Sequence, residues 1–596
     1  MCGIFGYVGP RKDAGVIAIE GLKNLEYRGY DSWGIACHMN GALRLEKKIG
    51  PIGGVDSSLF GADCSLAIAH TRWATHGGVT EINAHPHLSS DKTIAVVHNG
   101  IIENYVELKA ELEAKGHKFV SQTDSEAIPH LIEEEYKARG DFAAAVRAAC
   151  RRFEGKYAIL ALHTKSNMLV AARTGSPLIV GVGEKKADGR DGYFIASDIP
   201  AFLAHTKTVQ YLDDGEMVVT DGQSILFTDI ETGEERPKRE VSITWNVQQA
   251  EKGDYEHYML KEIMDQKTSI ARAVNQDEAQ IRAIAEAIRN AKGTILTACG
   301  TANKATMAAE YFFSVVSGKH VNVVPASEFK LYHHFLVPES LIIVVSQSGE
   351  TMDVIEAIQV AKSKGSKVLA IVNVEGSTIA RLADYTLLIN AGPERAVAST
   401  KALTGQLAVL IMIAYALIDD LQQGKTLLLE TSAKISDQLN PRYVERLERL
   451  AEKIKGQENL YIIGKSWNYP MALESAIKIQ EVSYIHAQGF AAGELKHGPI
   501  ALIEQGTPCI ILTGNDEVQA DILSNAQELK ARGAFIIGVG PTRHDVFDEW
   551  IKTPDAEAAQ AIVNIIPIQV LSYYLAVKRG KNPDMPRNLA KSVTVK

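Results

Sequence analysis

The chain has 596 residues, of which 46% are hydrophobic and 23% are charged, and its formal net charge at pH 7 is -9. A chain of this length is too long for one hydrophobic core, so we expect several domains. The acidic balance argues against a basic surface for nucleic acid or anionic lipid, and the composition excludes a disordered or fibrous chain.

The six cysteines are scattered along the chain and form no CxxC pair, and no signal-peptide pattern precedes the first domain. This distribution predicts a reducing, cytoplasmic environment without disulfides. The most apolar run, LAVLIMIAYALI from Leu407 to Ile418, is shorter than the roughly 20 residues that a membrane helix needs. It therefore predicts a buried core helix and no membrane association.

The first 240 residues are rich in short β-like segments, among them SLAIAHTRWAT, TIAVVHNG and YAILALH. Turn residues and a few helical stretches separate them, which predicts packed sheets with flanking helices. The polar stretch TDIETGEERPKREVSI then breaks the pattern, so we place a boundary near residue 240.

From about residue 281 onward, apolar strands alternate with long helices, as in parallel βαβ units. This half also repeats: ILTACGTA from Ile295 parallels LYIIGKSW from Leu460, and ASEFK from Ala326 parallels AGELK from Ala492. Landmarks that recur at a nearly constant spacing of roughly 165 residues predict a duplicated α/β domain.

One loop of the first repeat has the features of a phosphate site. In IIVVSQSGETMDVIEA, the residues from Ser346 to Gly349 follow a strand and Thr351 begins a helix. Backbone N–H groups at such a helix start bind anions, although an ordinary helix-capping turn has the same composition. The second repeat carries TGND at this place, and Asp516 would repel phosphate, so we expect the two copies to differ in role.

Nucleotide and metal motifs are not supported. YIIGKS has Asn459 where a Walker A loop needs glycine, and GVGPTR has Arg543 where GxGxxG needs its third glycine. Six histidines lie between His70 and His117, but neither a cysteine pair nor a carboxylate cluster recurs at ligand spacing around them. We therefore expect no metal site among these histidines.

Cys2 becomes the N-terminal residue once Met1 is removed, so its thiol and a free α-amine share one residue. A thiol with an ordinary pKa of about 8.5 needs a nearby base to act as a nucleophile, and the α-amine is such a base. Taken alone, however, a cysteine at this position is more often a small buried side chain than a nucleophile.

The motifs around Cys2 resemble a known family. CGIFGYVG, LEYRGYDS, AHTRWATHG, NAHPH and VVHNGIIENY resemble the glutaminase domain of the N-terminal-nucleophile amidotransferases. SQSGET, AVASTKA, AAGELKHGP and RNLAKSVTV resemble the paired sugar-isomerase (SIS) domains. In this order, and over nearly the whole chain, they resemble the isomerising glutamine–fructose-6-phosphate aminotransferases.

The resemblance implies an α+β N-terminal-nucleophile sandwich followed by two α/β SIS domains with parallel sheets. The boundaries that we expect are 1–240 for the glutaminase domain, 241–280 for a linker and helix, 281–430 and 445–585 for the SIS domains, and 586–596 for a tail that closes the sugar site. The implied activity releases ammonia from L-glutamine, passes it to fructose 6-phosphate and isomerises the product to glucosamine 6-phosphate, the first step of amino-sugar biosynthesis. The family implies a homodimer without a cofactor or metal.

In the glutaminase domain, the resemblance makes Cys2 the nucleophile and assigns the oxyanion hole to Asn99 and Gly100. Trp73 is implied as a gate on the ammonia path. The implied glutamine-binding residues are Arg72, Trp73, Thr75, His76 and Asp124.

On the sugar side, the resemblance implies that Lys591 forms a Schiff base, Glu481 moves a proton between C1 and C2, and His497 of the partner subunit opens the ring. The implied phosphate-binding set is Thr301, Ser346, Gln347, Ser348 and Thr351. The implied remainder of the pocket is Val397, Glu474, Lys478, Arg587 and Ala590.

Three alternatives were weighed against this hypothesis. An amidotransferase with another acceptor would carry a PRPP or ATP-pyrophosphatase loop, and the twin domains carry neither. An enzyme that removes amines from sugar phosphates usually lacks the glutaminase half. A sugar-phosphate sensor with a decayed site would have lost Cys2, Glu481 or Lys591, and all three are present.

Overall fold

The computed structural model describes residues 2–61, 63–74, 76–187, 189–243 and 252–594. These residues divide into two compact units, which fall within Met1–Val247 plus Ala590–Lys596 and within Gln248–Leu589. Each unit is described by itself.

The first unit contains two antiparallel sheets. The eight-stranded sheet has the order β16-β13-β9-β12-β1-β4-β2-β3, the six-stranded sheet has the order β15-β14-β8-β7-β6-β5, and β10 and β11 form a hairpin. The strands are β1 (Gly3–Val8), β2 (Ser32–Met39), β3 (Ala42–Ile49), β4 (Leu66–Arg72), β5 (His87–Leu88), β6 (Ile94–Gly100), β7 (Tyr157–His163), β8 (Leu169–Thr174), β9 (Ile179–Val182), β10 (Lys185–Lys186), β11 (Gly189–Arg190), β12 (Tyr193–Ala196), β13 (Thr208–Tyr211), β14 (Glu216–Thr220), β15 (Ile225–Asp229) and β16 (Val241–Ser242).

Helices cover the outer faces of both sheets. They are α1 (Ala14–Leu25), α2 (Tyr105–Ala114), α3 (Ala127–Arg139) and α4 (Phe142–Cys150). Alternate side chains of β1 pack in different hydrophobic cores, because successive side chains of a strand point to opposite faces of the sheet. Ile4 and Val8 pack against the six-stranded sheet, whereas Phe5 and Tyr7 pack with α1. The α+β sandwich expected from the sequence is confirmed.

Strand order sets where the chain's first residues lie. β1 pairs with β12 on one side and antiparallel with β4 on the other, and Gly3 lies opposite Thr71. Cys2 therefore comes beside the end of β4, whose last residue is Arg72 and which Trp73 follows.

The second unit contains two parallel five-stranded sheets with the orders β18-β17-β19-β20-β21 and β23-β22-β24-β25-β26. In both, the first strand along the chain lies between the second and the third, so the duplication is confirmed at the level of topology. The strands are β17 (Gly293–Ala298), β18 (Asn322–Pro325), β19 (Ser340–Ser346), β20 (Lys367–Val372), β21 (Tyr385–Leu388), β22 (Asn459–Gly464), β23 (His486–Ala491), β24 (Pro508–Leu512), β25 (Phe535–Gly540) and β26 (Glu549–Lys552).

Two apolar helices form the centre of this unit, α11 (Lys401–Ala416) and α16 (Gln560–Lys578). The described helices are α5 (Tyr258–Met264), α6 (Gln266–Val274), α7 (Glu278–Asn290), α8 (Gly300–Ser317), α9 (Met352–Ser363), α10 (Thr378–Leu382), α11 (Lys401–Ala416), α12 (Leu421–Gln438), α13 (Pro441–Ile454), α14 (Asn468–Ser483), α15 (Gln519–Lys530) and α16 (Gln560–Lys578). Every residue of α11 is buried, as the run from Leu407 predicts. Among the described residues, one helical segment, Glu557–Lys578, is long and apolar enough to cross a membrane, but 89% of its apolar window is buried inside the protein.

Candidate active site

The thiol of Cys2 lies against the backbone that follows β4. The Trp73 N–H donates a hydrogen bond to Cys2 Sγ at 3.2 Å, and Trp73 O lies 3.4 Å from the same sulfur. Cys2 is half-buried and is a free thiol. The sulfur is thus held in place by main-chain groups while part of the residue remains accessible.

Asn99, near the end of β6, reaches Cys2 through its side-chain amide. Its Nδ2 donates to Cys2 O and to Ser197 Oγ, both at 3.0 Å. His70 Nε2 lies 3.0 Å from two acceptors, Asn99 Oδ1 and His98 O. Burial lowers the pKa of His70 to about 3, so the ring is neutral and its hydrogen is on Nε2. This tautomer orients the amide so that its NH₂ group faces Cys2.

Gly100 ends β6 with a φ of +113°, a region that favours glycine. A Cβ atom at this position would lie only 2.0 Å from Lys156 O. The backbone that follows Asn99 can therefore adopt this conformation only with glycine.

Arg72 and Asp124 are both nearly inaccessible, at 3% and 4% exposure. Arg72 donates to Gly78 O at 3.1 Å and to Gly77 O at 3.2 Å, and also bonds to His76 O. Burial lowers the pKa of Arg72, and the nearby acidic groups of Cys2, Asp31 and Asp124 act in the opposite direction. The predicted glutamine-binding pair and the nucleophile therefore lie within electrostatic range of one another.

Asp124 is fixed by the backbone, because its Oδ2 accepts a hydrogen bond from the Ile102 N–H at 2.8 Å. His76 packs edge-on against the Tyr105 ring, with the ring centroids 6.3 Å apart. Thr75, also predicted to bind glutamine, lies outside the described residues.

Sequence reasoning missed several residues that support Cys2. The Arg28 Nε donates to Cys2 O at 3.2 Å, and its guanidinium pairs with Asp198 at 3.2 Å. Ser197 Oγ also accepts from the Ile4 N–H at 2.8 Å. Arg28 lies in the quoted motif LEYRGYDS, but Ser197 follows β12, and only the pairing of β12 with β1 brings it to the site.

The predicted phosphate loop follows β19, whose last residue is Ser346. Ser346 Oγ accepts from the Gly349 N–H at 3.0 Å and lies 3.2 Å from Thr351 Oγ1. Ser348 Oγ accepts from the Glu350 N–H at 3.2 Å. Thr351 is the N-cap of α9, so the loop gathers its hydroxyls at a helix N-terminus.

The loop is tightly packed. Gly349 has a φ of +67°, and a Cβ atom there would lie 2.0 Å from Ser377 Oγ. Gln347 O accepts from the Asn373 N–H at 3.3 Å, which ties the loop to the end of the next strand, β20.

Three predicted pocket residues share one face of α14. Lys478 Nζ lies 3.4 Å from Glu474 Oε1, four residues earlier, and contacts Glu481, three residues later. Glu474 and Lys478 are fully buried. Burial raises the pKa of Glu474 to about 7; the Lys478 ammonium acts in the opposite direction, and the neighbouring carboxylate of Glu481 adds to the rise. Burial alone would lower the pKa of Lys478, but Glu481 and Glu474 outweigh it and raise this pKa.

The two repeats meet at this face. Thr301, in the first turn of α8, donates from its Oγ1 to Glu474 Oε1 at 3.1 Å. Glu474 Oε2 is buried and has no hydrogen-bond partner within the described part of the chain. The structure thus brings Thr301, predicted to bind phosphate, together with the predicted pocket residues of the second repeat.

The other predicted sugar-site residues have different contacts. The Val397 N–H donates to Asp584 O at 3.1 Å, and Arg587 stacks over the Tyr484 ring at 4.4 Å. His497 is exposed at the end of a short 3-10 helix. In the described ranges, no hydrogen bond or ion pair joins His497 or Arg587 to Glu474, Lys478 or Glu481. Ala590 and Lys591 are grouped with the first unit.

Comparison with known proteins identifies the same two halves. A glutamine amidotransferase domain model matches residues 70–204, and a SIS domain model matches residues 287–416 and 453–579. Glutamine–fructose-6-phosphate aminotransferases (isomerising) of Pyrococcus horikoshii and Aquifex aeolicus are 44% and 41% identical to this chain, and each alignment covers 100% of both proteins.

A solved structure agrees with these matches. The C-terminal domain of the glucosamine–fructose-6-phosphate aminotransferase of Francisella tularensis is 31% identical, with a TM-score of 0.52, and the match covers 56% of this chain and 100% of that one. The similarity to the curated relatives extends over the full length at more than 40% identity. The chain therefore belongs to the family of isomerising glutamine–fructose-6-phosphate aminotransferases.

Proposed function

We propose that this protein hydrolyses L-glutamine at Cys2 and transfers the ammonia to fructose 6-phosphate, yielding D-glucosamine 6-phosphate and L-glutamate. The observation that carries the proposal is the hydrogen bond from Asn99 Nδ2 to the backbone O of Cys2, because a neutral histidine, His70, turns the NH₂ group of this amide toward the residue that bears the thiol. Full-length relatives bearing this activity in their names support the choice of acceptor.

In the glutaminase step, Cys2 Sγ attacks the side-chain carbonyl carbon of glutamine, and the C–N bond breaks from the resulting tetrahedral intermediate. The α-amine of Cys2, free once Met1 is removed, relays the thiol proton to the departing ammonia. Asn99 Nδ2 and the Gly100 N–H stabilise the oxyanion, and each such donor lowers the barrier by about 3–4 kcal/mol. Water then hydrolyses the thioester and releases L-glutamate.

Selectivity for glutamine comes from two opposite charges in a buried setting. Arg72 pairs with the α-carboxylate and Asp124 with the α-ammonium, and their burial strengthens both interactions. His76 and Thr75 form part of the wall, and Trp73 gates the path along which ammonia leaves. The Trp73 backbone N–H bonds to Cys2 Sγ. This contact supports a link between formation of the thioester at Cys2 and the position of the Trp73 gate.

In the isomerase step, the loop from Ser346 to Thr351 and Thr301 bind the phosphate. His497 opens the sugar ring, Lys591 forms a Schiff base with the C2 carbonyl, and ammonia displaces the lysine. Glu481 then takes a proton from C1 and returns one to C2, which converts the imine into the 2-amino aldose. The Lys478 ammonium beside Glu481 supports a carboxylate poised for this transfer.

We also propose that the protein is a homodimer in which His497 completes the partner's site. Corresponding segments of the two repeats expose large apolar side chains, Leu331 at 73%, Phe335 at 71% and Leu502 at 52%. Exposed apolar side chains clustered on short segments are typical of protein interfaces. A cytoplasmic location stays a prediction from the sequence.

The test supplies purified full-length protein with L-glutamine and fructose 6-phosphate, and measures glutamate and glucosamine 6-phosphate. We expect the two products in equal amounts. Glutamine hydrolysis without amino sugar, under conditions where fructose 6-phosphate is saturating, would contradict the acceptor assignment.

The matched variant is Cys2→Ala. We expect it to lose glutamine-dependent synthesis and to retain synthesis from high concentrations of ammonium, because the isomerase half is unchanged. A Cys2→Ala protein that still makes glucosamine 6-phosphate from glutamine would refute the role of the thiol. A preparation that keeps Met1 should behave as this variant does.

A further inference from the structure

A second group of ionisable side chains is buried in the first unit and takes no part in the proposed reaction. It consists of His117, His130 and Glu133, which we call the histidine–glutamate cluster. These residues are 6%, 2% and 4% exposed, and one ligand atom from each lies within 4.8 Å of the others. His117 follows α2, whereas His130 and Glu133 are one turn apart on α3.

The hydrogen bonding of this cluster is incomplete. Ser90, in the turn between β5 and β6, has its Oγ 2.7 Å from His117 Nδ1 and 3.2 Å from His130 Nδ1. A hydroxyl has one hydrogen, so it can donate to only one of these two nitrogens. If each imidazole is neutral and carries its hydrogen on Nε2, one Nδ1 lone pair is left unsatisfied, and a bound cation would satisfy both.

The far side of each ring faces a carboxylate. His117 Nε2 lies 3.0 Å from Glu134 Oε1, and His130 Nε2 lies 3.7 Å from Glu126 Oε1. Metal-bound histidines typically direct their second nitrogen at a carboxylate, which holds the tautomer and the ring orientation. At 3.0 Å, Glu134 can therefore orient the His117 ring so that its Nδ1 faces the centre of the cluster. His130 Nε2 is buried and makes no hydrogen bond within the described part of the chain.

The charge of the surroundings also favours a dication. Three carboxylates, those of Glu126, Glu133 and Glu134, surround the two rings. Lys137 Nζ lies 2.9 Å from Glu133 Oε1 and 2.8 Å from Glu134 Oε1, and its side chain is 58% exposed. The Lys47 ammonium also interacts with Glu126, so two ammonium groups face these three carboxylates and one negative charge remains in excess.

From this geometry we propose that His117, His130 and Glu133 form a binding site for a divalent transition-metal ion of the zinc class. Two imidazoles and a carboxylate are a ligand set that zinc accepts, with bonds of about 2.0–2.1 Å. Around such an ion the ligand atoms are about 3.4 Å apart, and His117 Nδ1 already lies 3.8 Å from Glu133 Oε2. Small side-chain rotations close the site, and Ser90 or a water molecule takes the fourth position.

The site has an entrance. A cavity of about 680 Å³ is lined by Ser90, Glu126 and His130 among other residues. The cavity therefore extends to Ser90 and His130 at the edge of the cluster. The inference does not depend on the proposed function, since Cys2 and its partners are not among these residues.

The experiment uses the full-length protein, stripped of metal with a chelator, and titrates it with Co²⁺ while recording the visible absorption. We expect one tetrahedral Co²⁺ per chain, displaced by one equivalent of Zn²⁺. His130→Gln and Glu133→Gln should each lose this spectrum, and Glu134→Gln, which removes an outer partner, should weaken binding about 10–100-fold. Circular dichroism checks that each variant folds. Because Glu134 is only partly buried, Glu134→Gln still tests the site if His130→Gln and Glu133→Gln do not fold.

His205→Gln is the matched control, since His205 lies in the same unit, stacked on Phe194 at 5.2 Å. It should bind Co²⁺ as the parent does, and so should Cys2→Ala, which removes the thiol as a competing ligand. The proposal is overturned if the parent gives no stoichiometric spectrum, if His130→Gln binds equally well, or if Cys2→Ala abolishes binding.

Discussion

Asn99 owes its orientation to a histidine that is buried deeply enough to stay neutral. The His70 ring lies against Asn99 Oδ1 and His98 O, so its Nε2 hydrogen turns the amide oxygen away from Cys2. With the oxygen held there, the NH₂ group lies on the side of Cys2, where it donates to Cys2 O and to Ser197 Oγ. The proposed oxyanion donor is thus set by a residue that never contacts the substrate in this scheme.

Replacing Asn99 with alanine should lower kcat for glutamine hydrolysis by about 10²–10³-fold, because one oxyanion donor is lost. Synthesis from ammonium should stay near the parental rate. Steady-state assays with each nitrogen source measure both quantities.

Asn104→Ala is the control for this prediction. Asn104 lies in the same unit and bonds to Arg152 O at 2.9 Å, away from Cys2. If Asn99→Ala hydrolysed glutamine as fast as Asn104→Ala does, Asn99 would not be an oxyanion donor.

At the scale of elements, helix α14 concentrates the charges of the predicted sugar pocket on one face. Glu474, Lys478 and Glu481 are spaced so that they lie side by side, as residues three and four apart do on a helix. Two carboxylates share one buried ammonium, so the more deeply buried of them, Glu474, is the one that holds a proton near neutral pH.

The raised pKa of Glu474 makes the stability of the second unit depend on pH. Between about pH 4.5 and pH 7 the unfolded chain ionises at Glu474 while the folded protein keeps the proton. The unfolded state therefore binds fewer protons, and the free energy of unfolding falls as the pH rises through this range, by about 3 kcal/mol at most. We expect Glu474→Gln to remove this decline, as measured by its unfolding temperature relative to the parent from pH 4.5 to 8.

Glu286→Gln, a change at an exposed residue of α7, should leave the decline in place. The difference in unfolding temperature between Glu474→Gln and the parent should grow between pH 4.5 and 7 and then level off. If the unfolding temperatures of Glu474→Gln and the parent differed by a constant amount from pH 4.5 to 8, Glu474 would be ionised in the folded protein over this whole range.

At the scale of the whole molecule, the proposed assembly predicts complementation between inactive subunits. His497→Ala and Lys591→Ala should each abolish synthesis of glucosamine 6-phosphate. If His497 acts in the partner's site, a mixed dimer has one intact site and one doubly defective site. Equal mixing with exchange of subunits should restore about a quarter of the parental activity, because half of the dimers are mixed.

Glutamine hydrolysis by each variant is the internal control, since both variants keep Cys2, Asn99 and Arg72. If mixing restored no activity while native mass spectrometry detected the mixed dimer, His497 would act within its own chain.

Much of the molecule could be predicted from the sequence, because the elements depend on local patterns. Alternating and continuous apolar runs predicted the sandwich, the twin parallel sheets and the buried helix from Leu407, and all three are present. The motifs around Cys2 and Ser346 predicted the family, which the full-length relatives confirm. The domain boundaries and the individual residue roles stay predictions.

Only the tertiary structure decided which distant side chains meet. Ser197 reaches Ile4 and Asn99 because β12 pairs with β1, Arg28 reaches Cys2 O, and Thr301 reaches Glu474 across two repeats. His117 gains His130 and Glu133 as neighbours because α3 packs beside the segment after α2, a contact that ligand spacing did not reveal. Spacing along the chain reports neighbours within one strand or helix, whereas strand order and helix packing set contacts between elements. The sequence therefore determined the kinds of element and their chemistry, and the fold determined the partners.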